Sequence, residues 1–186
     1  MGNLIGVSHH FWANCPPWQT PIKTQSMATL KELSLADRLF LKAYPWRRIH
    51  PTPQANPDKS LGASRIALAS SAGMVCKDQI PFDDTVRGGD PSFRWIAHQT
   101  PMEDLVETHR SQSFDHTGIA KDPNLALPLQ RLNELLEQGL IGSINHRHAS
   151  FMGSITAPGR MIRDTAPEIA RGLLEDGVDR VLLVPV

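Results

Sequence analysis

The pattern of apolar and polar positions changes character twice along this 186-residue chain. Over residues 1–26 the apolar residues follow neither a helical nor a strand period, and Lys23 is the one charged residue, so an irregular segment is expected. At Met27 a helical pattern opens, with Leu30, Leu33, Leu35, Phe40 and Leu41 interleaved with Lys31, Glu32, Asp37 and Arg38. The abrupt onset marks Met27 as an alternative start, with residues 1–26 an over-extended reading of the gene. From Pro45 to Leu61 the apolar pattern lapses, and Pro51, Pro53 and Pro57 stand among polar residues. Residues 27–60 therefore read as a helix followed by a proline-rich linker or wrapping arm.

Residues 61–186 carry the pattern of an α/β domain. Arg65 to Ser70 is a short apolar run that ends in Ser71, Ala72 and Gly73, as a buried parallel strand feeding a tight loop would. Residues 84–124 are expected to be rich in loops. A helix is predicted from Pro128 to Gln138, with Leu129, Leu132, Leu135 and Leu136 on one face and Gly139 ending it. Ile141 to Ile144 begins another strand. Thr165 and Glu168 have the spacing of a capping box, ahead of a helix burying Ile169, Ala170, Leu173 and Leu174 and ending at Gly177. Val181 to Val184 then reads as a fully buried strand. A core strand normally gains a covering helix. The expected fold is thus an incomplete parallel-sheet, Rossmann-like α/β domain preceded by a proline-rich arm.

Composition narrows the function classes. Hydrophobic residues make up 40% of the chain, enough for a real core, and 19 basic residues balance 19 acidic ones. Nothing in that balance draws the chain to nucleic acid or to an anionic membrane. No apolar run approaches the roughly 20 residues of a membrane-spanning helix, and no cleavage signal is evident, so a cytoplasmic protein is expected. Two cysteines, Cys15 and Cys76, make neither a disulfide scaffold nor a four-thiolate metal site.

Candidate chemistry rests on one cysteine, the histidines of the second half and a few loops. Cys76 lies just past the Ser71–Gly73 loop, where a reactive thiol is conceivable, although a lone cysteine more often packs inertly. His146 and His148 would share one side of an extended segment, a workable metal-ligand spacing, but no third ligand is set by spacing, and no metal is expected. General acid–base work by His116 or His148 suits a group that titrates near neutrality; a structural histidine is the bland alternative. The backbone of Ser70-Ser71-Ala72-Gly73 could hold an anion at a strand end, without the spacing of a nucleotide-binding loop. Arg87-Gly88-Gly89-Asp90 reads as a turn, and Arg94-Trp95 either as a substrate clamp or as an arginine packed on an aromatic ring.

The order of these motifs resembles one family. Its elements here are Ser70-Ser71-Ala72-Gly73, Phe93-Arg94, Ser113-x-Asp115-His116 and Asp122-x-Asn124, then Pro128-x-x-Arg131-Leu132-x-Glu134-Leu135 and Gly139-x-Ile141-Gly142. His148-Ala149-Ser150-Phe151-Met152-Gly153, Glu168-Ile169-Ala170 and Asp176-Gly177-Val178-Asp179 complete it. From Arg65 to Val186 the chain resembles the selenoprotein B subunits of glycine, sarcosine, betaine and D-proline reductases. That resemblance implies reductive cleavage, in which a selenocysteine or cysteine attacks the carbon bearing the amino group and releases the amine. It also implies a pyruvoyl-bearing partner subunit and a thiol electron donor. By position it places His109, His116, Asp122, Asn124, His148 and Ser150 in the substrate pocket. The family's redox motif follows the strand at Val181–Val184, so the nucleophile is expected beyond Val186, after a UGA codon read as stop, with no cofactor in the chain itself. The competing readings are a non-catalytic ligand-binding or scaffold paralogue and a metal-dependent enzyme using the histidines.

Overall fold

A computed structural model describes residues 33–44, 48–52, 55–111 and 116–186. The chain divides into two compact units, Met1–Pro53 and Gln54–Val186. In the first, helix α1 spans Leu35–Ala43. It starts at Leu35 because the Ser34 hydroxyl accepts the Asp37 N–H, a side-chain cap that satisfies a donor the first turn leaves open. The earlier residues of the expected helix, 27–32, and residues 1–26, expected to be irregular, lie outside the described residues.

The second unit is built on a five-stranded, mostly parallel sheet. Strand β1 (Arg65–Ser70) is central. Its alternation sends Ile66 and Leu68 to one face and Ala67 and Ala69 to the other, the period of two that a strand buried on both sides requires. Short strand β2 (Met74–Cys76) follows the Ser71–Gly73 loop, and β3 (Phe93–Ala97) returns to the sheet edge. Strand β4 (Leu105–Glu107) pairs antiparallel with β2 as a separate ribbon, Met74 opposite Glu107. Helix α2 (His116–Lys121), a 3-10 turn at Pro123–Leu125 and helix α3 (Leu129–Glu137) cover the Ile66–Leu68 face. Strands β5 (Ser143–Ile144) and β6 (Arg147–Phe151) share one edge of β1, and β3 runs antiparallel on β6. Helix α4 (Ala166–Glu175) covers the Ala67–Ala69 face, and β7 (Arg180–Val184) pairs in parallel with the other edge of β1. Among the described residues no helix is long and apolar enough to cross a membrane.

The mixed α/β class and the principal elements follow the sequence pattern; several details differ. Residues 84–124 hold β3, β4 and α2, whose short spans carry too little periodicity to announce themselves. Thr165 is not a capping residue. It has helical backbone angles, and its hydroxyl donates to the Pro91 carbonyl at 2.5 Å, because a π-helical turn at Met161–Thr165 already leads into α4. Ile169 and Leu173 are buried, but Ala170 and Leu174 face outward. On α3, Leu129 and Leu132 are buried, whereas Leu136 is exposed. Strand β7 forms where expected but is not buried: Val181 and Leu183 are 40% and 70% exposed, since β1 is its one strand partner among the described residues.

Candidate active site at the carboxyl edge of the sheet

The parallel strands β1, β6 and β7 end on the same side, the edge where α/β sheets bind ligands. The Ser70–Gly73 loop ties these ends together. Ser71 donates its N–H to Val184 O at 3.1 Å, and Gly73 donates to Phe151 O at 3.0 Å. The Ala72 N–H turns back onto the Ser70 hydroxyl at 3.2 Å, while that hydroxyl donates to Ala126 O at 2.6 Å. The N–H groups of Ser71, Ala72 and Gly73 are therefore consumed internally and are not offered to an anion. Beyond β7 the Val186 N–H donates to the Ser71 hydroxyl at 2.9 Å, so the chain leaving the strand is held against the loop.

Gly73 turns the chain with φ +64 and leads into β2. A Cβ there would lie 3.3 Å from the His109 Cα, so glycine is needed for the turn and for the close approach of the segment after β4. Pairing of β2 with β4 sets Glu107 opposite Met74, both on the wall of a cleft of about 590 Å³. Leu105, His116, Ile119 and Lys121 line it as well. At one end of this cleft His116 Nδ1 lies 2.5 Å from Glu107 Oε2, and His116 Nε2 lies 2.7 Å from the Ser111 carbonyl oxygen. The other Glu107 oxygen accepts the His109 N–H. His109 itself is buried, and its Nδ1 accepts the Ser111 N–H at 3.1 Å. Burial lowers its pKa, against the raising influence of the Glu107 carboxylate. Ser113 and Asp115 of the same motif lie outside the described residues.

The six expected pocket residues are thus distributed unequally. His116 reaches the cleft, and His109 packs behind its Glu107 wall. Asp122 and Asn124 flank Pro123 beside the cleft, but their side chains serve the turn: Asn124 Nδ2 donates to Asp122 Oδ1 and to Gln130 Oε1, both at 2.8 Å, and its carbonyl accepts the Gln130 N–H. That knot joins the 3-10 turn to α3. His148 and Ser150 sit within β6, fully buried. The Ser150 hydroxyl, register partner of Ser70 at the carboxyl edge, finds no hydrogen-bond acceptor or donor among the described residues.

His148 is a backbone partner. Its Nδ1 accepts the Leu68 N–H at 3.1 Å where β5 gives way to β6 and the ladder along β1 is interrupted. Nδ1 is therefore unprotonated, Nε2 carries the proton toward His98 Nδ1 at 3.1 Å, and His98 Nε2–H donates to Asn133 Oδ1 at 2.9 Å. Burial, assisted by His98 and His146, pulls the His148 pKa down to about 3, so it is neutral at neutral pH and unsuited to acid–base exchange there. Of the two acid–base candidates, the geometry favours His116.

The remaining sequence candidates resolve into structure. His146 and His148 part, His146 reaching solvent within 3.9 Å of Asp176, and among the described residues no three metal-ligating side chains gather. Arg94 stacks on Phe82 at 4.5 Å and donates to the Ile80 and Pro81 carbonyls, the aromatic-packing alternative. Gly88 and Gly89 have φ of 90° and 100°, as a turn reading requires. The Cys76 thiol, 3.8 Å from the Thr100 hydroxyl, has its pKa raised mainly by burial, so it stays protonated and is a poor nucleophile. Glu107, the most consequential cleft residue, went unnoticed in the sequence. Its signal was Leu105-Val106-Glu107-Thr108-His109, an alternation that puts an acid and a histidine on the same side of an extended segment.

The cleft lies beside the carboxyl edge of a mostly parallel α/β sheet, the place where proteins of this class bind ligands. Comparison with known proteins is more specific: the glycine/sarcosine/betaine reductase selenoprotein B family matches residues 27–186, and the chain belongs to that family. It is 33% identical over 136 residues to D-proline reductase subunit gamma of Acetoanaerobium sticklandii, covering 73% of this chain and 54% of that one. It is 27% identical over 150 residues to the sarcosine reductase complex component B subunit beta of Peptoclostridium acidaminophilum, covering 77% and 33%. It is 29% identical over 147 residues to the glycine reductase complex component B subunit gamma of Symbiobacterium thermophilum, again 77% and 33%. The chain thus spans from a third to about half the length of these relatives. No solved structure matches it.

Proposed function

We propose that this chain is the substrate-handling α/β part of a reductase that cleaves a carbon–nitrogen bond in a small amine or amino-acid-like molecule with a thiol or selenol. The observation that carries the reading is the carboxyl edge. There β7 delivers the chain to the Ser71 hydroxyl, and only Ala72 and Gly73 separate Ser71 from Met74 on the cleft wall. Three residue steps reach about 11 Å at most, so a nucleophile following β7 would stand near a molecule in the cleft. Catalysis requires a low-pKa chalcogen with a resolving thiol close by, and Cys76 supplies neither. In this reading the redox motif comes from residues after Val186, a thiol donor restores it, and a pyruvoyl-bearing partner subunit holds amino-acid substrates.

Reading the gene through its stop codon tests this. A UGA codon with a continuing frame and a cysteine within a few codons supports the proposal. A UAA or UAG codon with no continuing frame would remove the motif, and the ligand-binding paralogue would take its place. In the complete reductase, Cys76→Ala should leave thiol-dependent turnover within about twofold of wild type. Abolished turnover with the fold preserved would show that the nucleophile had been misassigned.

A further inference from the structure

Each ring nitrogen of His116 faces an acceptor. A carbonyl oxygen has no proton to give, and an ionised carboxylate has none either. Ser111 O faces Nε2 at 2.7 Å and Glu107 Oε2 faces Nδ1 at 2.5 Å, so both contacts are hydrogen bonds only when the pair holds a proton at each ring nitrogen. The two protons are not equivalent. The one on Nδ1 is held by a carboxylate, whereas the one on Nε2 rests on a neutral carbonyl and is the one the pair can release. Glu107 and His116 both line the cleft, their side chains 15% and 40% exposed, so the imidazolium stands at its wall.

We propose that Glu107 and His116 form the proton donor of this cleft, with His116 as the acid and Glu107 as the positioning residue that keeps it charged. The assignment rests on the reductase reading above. A thiolate or selenolate gives its electron pair to the substrate carbon and forms the new carbon–chalcogen bond. The carbon–nitrogen bond breaks with its pair passing to nitrogen, and the Nε2 proton of His116 moves to that nitrogen. What remains is a neutral imidazole still held through Nδ1–H by the Glu107 carboxylate, which favours its taking the next proton from water at Nε2. The charged groups around the pair are His109 and Arg110 after β4, Lys121 at the end of α2 and Glu103 across the cleft. Lys121 and Arg110 oppose a further positive charge on His116, so the Glu107 carboxylate has to outweigh them.

Nitrogen-detected NMR of the imidazole rings in this chain tests the pair without any reductase activity. His116 should remain doubly protonated well above the ordinary histidine midpoint of about 6.5, and should lose its proton from Nε2. Glu107→Gln should lower that midpoint by about one pH unit or more. A His116 that titrates at the ordinary midpoint in both proteins would overturn the pair. The donor role is read in the complete reductase: His116→Ala should lower kcat at least tenfold with a smaller change in KM, and added imidazole should restore part of it. Glu107→Asp should recover turnover that Glu107→Gln loses. Undiminished kcat in His116→Ala would overturn the role. If wild-type reductase cleaves no carbon–nitrogen bond, by amine release or by ring opening, while His116 titrates as described, the reductase reading fails and the substrate nitrogen falls as acceptor, but the pair stands.

Discussion

Where β5 gives way to β6, the Leu68 N–H of β1 has no strand carbonyl opposite it, and His148 Nδ1 takes that place at 3.1 Å. Replacing the imidazole with an apolar side chain strands that donor in the core, at a cost of about 1–3 kcal/mol for an unsatisfied buried group. His148→Leu should therefore lower stability by at least that amount in urea unfolding, and an unchanged midpoint would refute the assignment. The same bond sets an acid dependence. In the unfolded chain His148 titrates near its ordinary 6.5, whereas in the fold burial defers protonation to about pH 3. Between these values the unfolded state binds more protons, so the stability is fully present above about pH 6.5 and is lost progressively as pH falls toward 3. Carboxylates such as Asp176, held low chiefly by hydrogen bonds from Arg147, add to the acid loss. Comparing the slope of unfolding free energy with pH in wild type and in His148→Gln isolates the histidine share.

Helix α4 shows how the same residues admit two local solutions. Thr165 and Glu168 have the spacing of a capping box, yet the backbone enters the helix through a π-helical turn, and Thr165 bonds across to Pro91 O. Glu168→Ala should consequently change stability by no more than about 0.5 kcal/mol, the range of an ordinary surface substitution. A loss above about 1 kcal/mol would restore the capping box. Strand β1, α3 and α4 were readable in the sequence because runs of six to ten residues with steady apolar spacing leave few alternatives. The three-residue strands β2 and β4 were not, since their pairing depends on contacts made after the chain folds back. The same limit governed the site. His116 was nameable as a titrating group, but its tie to Glu107 is a tertiary contact nine residues away. His148 looked equally suited until its position inside the sheet showed it occupied by the backbone.

The molecule carries its clearest liability on β7 and the adjoining flank of α4. Leu183 is 70% exposed and Leu174 73%, and an apolar groove lined by Ala69, Ile169, Leu173 and Val181 runs beside them. An uncovered strand of this kind invites association. The purified 186-residue chain should aggregate as its concentration rises, and Leu183→Lys should raise the concentration at which it stays dispersed in light scattering. A monodisperse chain with a cooperative melt would contradict this. In the function proposed above, this α/β unit presents a small amine or amino acid to a chalcogen nucleophile. The deciding measurement is carbon–nitrogen cleavage by the complete gene product, purified with the subunits it binds and supplied with a dithiol. Amine should be released from glycine, sarcosine or betaine, or the ring of D-proline should open to 5-aminopentanoate, with the turnover abolished by alkylation of the chalcogen and reduced in His116→Ala. Cleavage of none of the four under reducing conditions would overturn the reading.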